Sequence, residues 1–363
     1  MTTLSLIMIV RNEEARISRC LESARPYVDD IVIADTGSTD NTKEIAARFG
    51  ARIVDFPWCD HFAEARNFAL DHSVTDWNLV LDADEYLVGD AGLKIRNFIE
   101  SGPAIGRLTI VSSFVDETGT PGAARSHISR LFPAGVRYRG RIHEQVESPL
   151  PRRLVHAGIM HDGYFQTSKA QRNIPLLEAE LREQPDDAYC LYQLAKEYKG
   201  IGKIEPALKY MEKSYAKVNR KAPYYPLVVV ELLYLLKDAG RLEHAMAVVQ
   251  AESDPLAGYP DFHFVKGLLL LDWVLSDVHR NVSLLPEIER SYLRCLEIGE
   301  HHAFEGVVGT GSFAALHNLG VYYETTGDLE KAGHCYRQAA SMGYKPSEER
   351  LAYWENRGGG LKI

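Results

Sequence analysis

Short apolar runs alternate with amphipathic segments along the first eighty residues of the chain. The first apolar run is Leu4–Val10, and it is followed by Glu13–Ser23, where Ile17 and Leu21 lie four residues apart, as on one face of a helix. Strands are predicted next at Ile31–Ala34, Arg52–Val54 and Asn78–Leu81, and helices at Asn41–Phe49 and Phe62–Leu70. This alternation indicates a parallel sheet with helices on both faces.

Beyond residue 106 the pattern changes, because three predicted strands follow one another without helices. These strands are Arg107–Phe114, Ser126–Phe132 and Val136–Ile142. They predict a mixed or antiparallel extension of the sheet. Ligands of such sheets bind at the carboxyl ends of the strands, so we expect the polar residues that follow Val10, Ala34 and Leu81 to lie at one rim.

Nearly everything after Tyr164 has helical spacing, and this half of the chain repeats. Small and aromatic residues recur at the same offsets in Ala188–Asn219 and Phe313–Pro346, with weaker copies at Pro226–Pro255 and at Pro260–Glu300, the last with an insertion. The pattern resembles the tetratricopeptide repeat, a helix–turn–helix unit of about 34 residues. Stacked repeats form a solenoid whose concave face binds peptides, or they serve as a scaffold or as a homodimer surface.

Composition narrows the class of protein. The chain has 363 residues, 50 acidic against 41 basic, and a net charge of −9, which argues against a nucleic-acid binder. Its five cysteines form no C-x-x-C pair, which is typical of a reducing compartment. The apolar runs are too short to span a bilayer, so we expect no transmembrane segment and a cytoplasmic location.

Carboxylates follow two of the predicted strands. Asp82 and Asp84 come directly after an apolar strand, and side chains two residues apart on a strand point the same way. Such a pair suits Mg²⁺ or Mn²⁺, although a charged turn without metal would have the same composition. Asp35 precedes a turn at Gly37, and its carboxylate could accept hydrogen bonds from a nucleoside. The chain has neither a dinucleotide-binding nor an ATPase glycine motif.

Together these residues resemble the family 2 glycosyltransferases, which have the GT-A fold. The resemblance covers roughly the first 100 residues. It runs through Leu6–Glu14, Asp35–Asp40, Phe62–Asn67 and Asp82–Glu85.

The resemblance implies a role for several residues of these motifs. It implies that Asp35 contacts the nucleoside and that Asp84, with Asp82 nearby, holds a metal on the diphosphate. Arg66 is implied to contact the nucleotide, with a surface pair to Glu64 or Asp60 as the alternative. The strand end formed by Val10 and Arg11, like Asp82, is a candidate for nucleotide-sugar binding.

A second stretch narrows the resemblance to a bacterial subgroup in which tetratricopeptide repeats follow this domain. Its landmarks are similar to Gly140–Glu144 and Ile159–Tyr164. Members include enzymes that glycosylate bacteriocin-precursor peptides on cysteine or serine. Lipopolysaccharide-core glycosyltransferases carry a stretch similar to the first landmark, so the resemblance does not fix the acceptor.

Two residues of these landmarks are candidates for chemistry. Glu144 could deprotonate an acceptor, as an inverting transferase requires, or could have a structural hydrogen-bonding role. The stretch His143–Glu147 lacks the second histidine of a zinc protease and follows a strand, so a metalloprotease is disfavoured. His161 could be a further metal ligand or contact the diphosphate, or it could be structural.

Cationic side chains alternate along the third of the late strands, at Arg137, Arg139, Arg141 and His143. On a pleated strand this spacing places them on one face, where they would clamp a diphosphate or an anionic acceptor. We take Arg141 as a nucleotide-sugar candidate from this set. The alternative is that these charges protect a sheet edge from pairing.

The sequence therefore predicts two domains, a GT-A glycosyltransferase domain at 1–168 and an all-α tetratricopeptide-repeat domain at 169–363. The expected reaction is inverting, metal-dependent transfer of a hexose from a nucleotide diphosphate sugar, with UDP as the expected nucleotide. The expected acceptor is a cysteine, serine or threonine of a peptide or protein held by the repeats. The alternatives are a lipopolysaccharide-core or lipid-linked saccharide as acceptor, and a non-catalytic repeat adaptor.

Overall fold

A computed structural model describes residues 2–115, 119–161, 169–300 and 305–356. The chain divides into two compact units, of which the first comprises Met1–Val115 and Ala123–Pro185, and the second comprises Asp186–Ile363 together with the short segment Asp116–Gly122. The sequence predicts a domain boundary between residues 168 and 169, whereas the first unit extends to Pro185, so the predicted and observed boundaries differ by one helix. That helix, Ala170–Glu183, groups with the first unit.

Strands and helices alternate in the first part of this unit, and five strands then follow one another without helices between them. Its elements are β1 (Leu4–Val10), α1 (Ile17–Ala24), a 3₁₀ turn (Arg25–Tyr27), β2 (Asp30–Asp35), α2 (Thr42–Arg48), β3 (Arg52–Asp55), α3 (Phe62–Asp71), β4 (Trp77–Val80), β5 (Glu85–Val88), α4 (Ala91–Ile99), β6 (Ile105–Val115), β7 (Pro121–Pro133), β8 (Arg137–Arg139), β9 (Gln145–Glu147), β10 (Arg152–His161) and α5 (Ala170–Glu183).

The main sheet is mixed, as the sequence predicts. Its strands lie in the order β3-β2-β1-β4-β7-β6-β10-β5, and β8 pairs with β9 separately. The first four strands are parallel, whereas β7 runs antiparallel to β4 and β5 runs antiparallel to β10. In the parallel part, Val10 is in register with Asp35. The carboxyl ends of β1, β2 and β4 therefore meet at one rim, as expected.

The side chains of the central strand β1 point alternately to the two faces of the sheet, which explains why helices cover both faces. Leu6 and Met8 of β1 belong to the apolar core that contains buried residues of α1 and α4. Ile7, between them, belongs to the core that contains buried residues of α3. Successive side chains of a strand point to opposite faces, so a strand that is apolar throughout needs packing partners on both.

Some predicted bounds differ from those of the structure. The observed β1 has the predicted bounds, whereas the predicted strand Val136–Ile142 contracts to β8, because the backbone turns at Gly140 with φ of 100°. β10 is a long strand that the sequence analysis did not predict.

The described residues of the second unit are helical apart from one short strand. Its elements are α6 (Ala188–Gly200), α7 (Ile204–Lys217), α8 (Tyr225–Asp238), α9 (Leu242–Glu252), α10 (Pro260–Ser276), α11 (Val278–Asn281), a 3₁₀ turn (Val282–Leu284), α12 (Leu285–Ile298), β11 (Gly306–Val307), α13 (Phe313–Thr326), α14 (Leu329–Ser341) and α15 (Lys345–Asn356).

Four helix pairs correspond to the four predicted repeats, namely α6–α7, α8–α9, α10–α12 and α13–α14. Close helix crossings explain the recurring small and aromatic residues. A Cβ atom on Gly320 would lie 2.6 Å from the ring of Tyr336, and one on Gly267 would lie 2.7 Å from the ring of Tyr292. Only glycine allows these rings to pack so near the facing helix. The predicted insertion in the third repeat is α11 with its 3₁₀ turn.

Candidate active site

Asp35 lies at the end of β2, and its side chain is fully buried. Its Oδ1 accepts hydrogen bonds from the backbone N–H groups of Gly37 and Ser38, at 2.9 and 2.8 Å, and so closes the turn after the strand. Among the described residues, its Oδ2 is buried and has no hydrogen-bond partner. One carboxylate oxygen therefore has a structural role, while the other can still accept a hydrogen bond from a ligand.

The two other residues of this rim lie beside that turn. The Val10 carbonyl accepts hydrogen bonds from the backbone N–H and the hydroxyl of Thr36, at 2.9 and 3.1 Å. Arg11 follows at the end of β1 and is exposed. These contacts tie the ends of β1 and β2 together.

Asp82 is held between two buried arginines. Its Oδ1 accepts a hydrogen bond from Arg66 Nη2 and its Oδ2 from Arg130 Nη2, both at 2.8 Å. Burial alone would raise the pKa of Asp82, but the charges of Arg130 and Arg66 outweigh it and hold that pKa well below its usual range. Asp82 is therefore ionised at neutral pH, and a third of its side-chain surface is exposed.

The expectation that Asp82 and Asp84 continue a common strand is wrong. β4 ends at Val80, and both aspartates lie in the turn that leads to β5. In this turn the Asp82 N–H donates to Glu85 Oε2 at 2.9 Å, and the Glu85 N–H donates to the Asp82 carbonyl at 3.0 Å. The side chains of the two aspartates consequently have different partners.

Asp84 pairs with His161 instead. Its Oδ2 lies 3.2 Å from His161 Nε2 and 3.9 Å from Lys169 Nζ. Burial alone would raise the pKa of Asp84, but the hydrogen bond and charge of His161 lower it. For His161, burial alone would lower the pKa, and the Asp84 carboxylate raises it. Strand pairing explains this proximity, because Glu85 in β5 is in register with His161 in β10.

Arg66 is buried and forms hydrogen bonds with two residues of the site that lie far apart in the sequence. Its Nε donates to Glu144 Oε1 while its Nη2 donates to Asp82, so the predicted surface pair with Glu64 or Asp60 is wrong. A neighbouring residue sets this geometry, because the Asn67 side chain exchanges hydrogen bonds with the backbone of Tyr138 in β8, both at 2.9 Å. The remaining nitrogen, Arg66 Nη1, is buried and has no hydrogen-bond partner among the described residues.

Glu144 lies in the loop between β8 and β9, and its side chain is 10% exposed. Its neighbour His143 has φ of 51°, and the stretch is not helical, which agrees with the exclusion of a zinc protease. The structure thus brings together Arg66, Asp82 and Glu144 from three motifs of the sequence. Asp162–Tyr164, the end of the second landmark, lie outside the described residues.

The cationic face predicted along one strand is wrong. β8 contains only Arg137 and Arg139 of the four residues, because the chain turns at Gly140. Arg137 Nη2 pairs with an Asp71 oxygen at 2.7 Å. Arg141 Nη2 pairs with Glu183 Oε1 of α5 at 2.7 Å, and this pairing raises the pKa of Arg141. The nucleotide-sugar role of Arg141 stays a prediction.

The residues at the rim fit a divalent cation bound together with a ligand. In the part of the chain that the structure describes, no cluster of three or more histidine, cysteine or carboxylate side chains could hold a metal ion by itself. Asp84 Oδ2 and His161 Nε2 are nevertheless separated by 3.2 Å, close to the distance of about 3 Å between adjacent ligands of an octahedral ion. A carboxylate with an imidazole suits Mn²⁺, and the remaining positions would be left for phosphate oxygens.

Sequence reasoning missed Arg130 and Glu85. Arg130 is 6% exposed, and its Nη2 donates to Glu85 Oε1 as well as to Asp82, each at 2.8 Å. Burial raises the pKa of Glu85 even with Arg130 beside it. The available signal was an arginine within the apolar, alternating end of a predicted strand, which is costly to bury unless it is paired.

Two parts of the chain match known protein families. Residues 5–148 match the family model described as glycosyl transferase family 2, and residues 313–342 match a tetratricopeptide repeat. The chain is 32% identical over 254 residues to a TPR repeat-containing protein of Synechococcus elongatus, covering 65% of this chain and 61% of that protein.

Two other relatives are named as glycosyltransferases. The chain is 28% identical over 257 residues to the SPbeta prophage-derived glycosyltransferase SunS of Bacillus subtilis, covering 65% of this chain and 59% of that protein. It is 39% identical over 87 residues to an uncharacterized glycosyltransferase of Rickettsia typhi, covering 24% of this chain and 30% of that protein. The chain thus spans about three fifths of the length of the first two relatives.

The first unit contains a glycosyltransferase domain of family 2, with the mixed sheet expected of the GT-A fold. A helical region that contains a tetratricopeptide repeat follows this domain in the chain, as the sequence predicts. Among the described residues, no helix combines the length and the apolar character needed to cross a membrane.

Proposed function

We propose that this protein transfers a hexose from a UDP-linked sugar to a side chain of a peptide or protein, with inversion at the anomeric carbon. The observation that carries the proposal is the approach of Asp84 Oδ2 to His161 Nε2, 3.2 Å apart, in a family 2 domain. Asp35 at the same rim has a buried carboxylate oxygen that accepts no hydrogen bond from the described residues. These features support a metal-dependent nucleotide-sugar site.

In this proposal Asp84 and His161 hold Mg²⁺ or Mn²⁺. When bound, the ion supplies Lewis-acid neutralisation of the diphosphate charge. Asp35 Oδ2 accepts a hydrogen bond from the nucleoside, which relieves the cost of a buried, unpaired acceptor. The exposed third of the Asp82 side-chain surface faces the donor. Arg66 and Arg130 hold the orientation of this side chain.

Glu144 is the proposed base of the transfer. Its contact with Arg66 Nε fixes the carboxylate next to Asp82, which the same guanidinium binds. A hydroxyl acceptor would lose its proton to Glu144 as it attacks the anomeric carbon. The bond between that carbon and the diphosphate oxygen would break in the same displacement, and UDP would leave. A cysteine acceptor depends less on a base, because the thiolate is already the nucleophilic form. The repeats would bind the segment that carries the acceptor.

Donor binding is tested first, by thermal stabilisation with a panel of nucleotide sugars in the presence of Mn²⁺. A ligand bound only by the folded state raises the unfolding midpoint, by about 2.7 kcal/mol of stability at a hundredfold excess over Kd. A UDP-sugar should stabilise the protein and be hydrolysed or transferred. If no nucleotide sugar binds, the non-catalytic adaptor becomes the better interpretation.

Variants then test the roles of single residues. Asp84→Asn should abolish turnover with the fold intact, whereas Asp90→Asn, at an exposed aspartate of the same unit, should be fully active. Normal activity of Asp84→Asn would refute the metal role. Glu144→Gln should slow transfer to a hydroxyl acceptor far more than it weakens donor binding, and an equal loss of donor affinity would indicate a binding role instead.

The class of acceptor is tested by competition. Unlabelled peptides should displace a labelled acceptor peptide from the full-length protein, whereas lipopolysaccharide-core saccharides should not. Displacement by the saccharides alone would favour the alternative acceptor.

A further inference from the structure

Arg130 is a buried cation of β7, and its contact with Glu85 has no role in the proposed chemistry. Its Nη2 lies 2.8 Å from Asp82 Oδ2 and 2.8 Å from Glu85 Oε1. Glu85 is itself buried, 3% exposed, so its carboxylate depends on this cation for neutralisation.

The two partners of Arg130 are the first and the last residues of one turn. Asp82 and Glu85 already exchange two hydrogen bonds, from each backbone N–H to an oxygen of the other residue. Arg130 adds a bridge between their side chains, and it does so from a different strand. The four-residue turn is consequently closed by its own backbone and also attached to β7.

Asp84 lies inside this turn. Its approach to His161 requires that the turn keep its conformation, because β5 begins at Glu85 and carries the register that places His161 opposite. Both contacts come from one nitrogen, Nη2, whose two hydrogens have fixed directions in the rigid plane of the guanidinium. The ammonium group of a lysine rotates on a flexible stem and does not fix these two directions.

We propose that Arg130 is a positioning residue, which fixes the Asp82–Glu85 turn and thereby the direction of Asp84, without contacting the donor. The inference rests on the proposed function, because kcat/KM for the UDP-sugar is one of its readouts. Its other readout is hydrogen exchange of the metal-free protein, which needs no activity.

The first test is Arg130→Lys, with Arg52→Lys as the matched control. Arg52 pairs with Asp30 on the surface of the same unit, at 2.7 Å. Amides of the Asp82–Glu85 turn should exchange faster in Arg130→Lys, while amides of β1 should be unchanged. The kcat/KM for the UDP-sugar should fall about tenfold to a hundredfold, the value of a hydrogen bond to a charged group. The Arg52→Lys variant should be like wild type in both measurements.

A second variant separates positioning from simple charge neutralisation. Arg130→Met alone leaves Glu85 buried without its cation and should lower the unfolding midpoint, whereas Arg130→Met with Glu85→Gln should restore that midpoint. The double variant should still show fast exchange in the turn and low kcat/KM. Recovery of wild-type exchange and kcat/KM in the double variant would overturn the proposal, as would an unchanged turn in Arg130→Lys. A wild-type protein that binds no nucleotide sugar would refute the proposed function instead, and the exchange measurement would still decide the role of Arg130.

Discussion

Replacement of Arg66 by methionine tests whether this side chain only binds a ligand or also stabilises the folded protein. The sequence predicts a nucleotide contact, and the structure directs two of its nitrogens to Glu144 and Asp82. Methionine keeps much of the apolar stem and removes the cation. A purely ligand-binding arginine could be replaced with little effect on the stability of the free protein.

The magnitude follows from the burial of the partners. Asp82 keeps Arg130 in the variant, so most of the cost comes from Glu144, whose side chain is 10% exposed. Breaking a buried ion pair by removing one partner costs about 3–5 kcal/mol. For a domain of this size, 1 kcal/mol shifts the unfolding midpoint by about 2–4 °C, which gives a decrease of about 6–20 °C.

The assay is urea and thermal unfolding of the ligand-free protein, followed for wild type, Arg66→Met, Glu144→Gln and the double variant. The double variant buries no unpaired Glu144 charge, so it should be more stable than Arg66→Met alone. The four proteins form a double-mutant cycle. It measures the coupling free energy between Arg66 and Glu144, which is the difference between the effect of the double variant and the sum of the two single effects. The reasoning is refuted if Arg66→Met lies within about 0.5 kcal/mol of wild type, the range of ordinary surface substitutions.

Three further outcomes are expected. Excess chelator should stop turnover, and added Mn²⁺ or Mg²⁺ should restore it; activity that persists in chelator would contradict the metal site. Gly320→Ala should destabilise the helical unit by about 1–3 kcal/mol, because its Cβ would lie 2.6 Å from the buried ring of Tyr336. Gly200→Ala, with nothing within 4 Å, should not lower the unfolding midpoint. Burial alone would raise the pKa of Glu324, but hydrogen bonds, above all from Arg350, lower it. Glu324 therefore adds stability above its ordinary pKa of 4.5 that is lost as the pH falls through the folded value, and Glu324→Gln should flatten this part of the stability profile.

Local chemistry explains which parts of the site the sequence could predict. Asp35 follows an uninterrupted apolar strand and precedes a glycine with φ of 106°, so its place at the end of β2 depends only on neighbouring residues. The four repeats were predictable for a similar reason, because each helix pair places its small and aromatic residues within one repeat.

Contacts between distant segments explain what could not be predicted. The Arg130–Glu85 pair joins residues 45 positions apart and exists only because β7 inserts between β4 and β6. Asp84 meets His161 only because β5 returns antiparallel to β10, a strand that no periodic signal revealed. The expectation for Asp82 and Asp84 was wrong because it continued the alternation of a strand past the strand's end at Val80. Both residues lie in a turn, where side chains two positions apart do not have to point the same way.

The insertion in the third helix pair has a consequence for how this kind of protein can diversify. In the other pairs, residues 201–203, 239–241 and 327–328 connect the helices, whereas residues 277–284 do so here and include the short helix α11. Val278 and Val282 of this segment are half exposed, and α10 still packs on α12 around it. A helix pair of this unit therefore accommodates additional chain at its tip, where insertions are generally tolerated. Additional sequence at such a tip would enlarge the exposed surface of the helical unit and leave the contact between α10 and α12 in place.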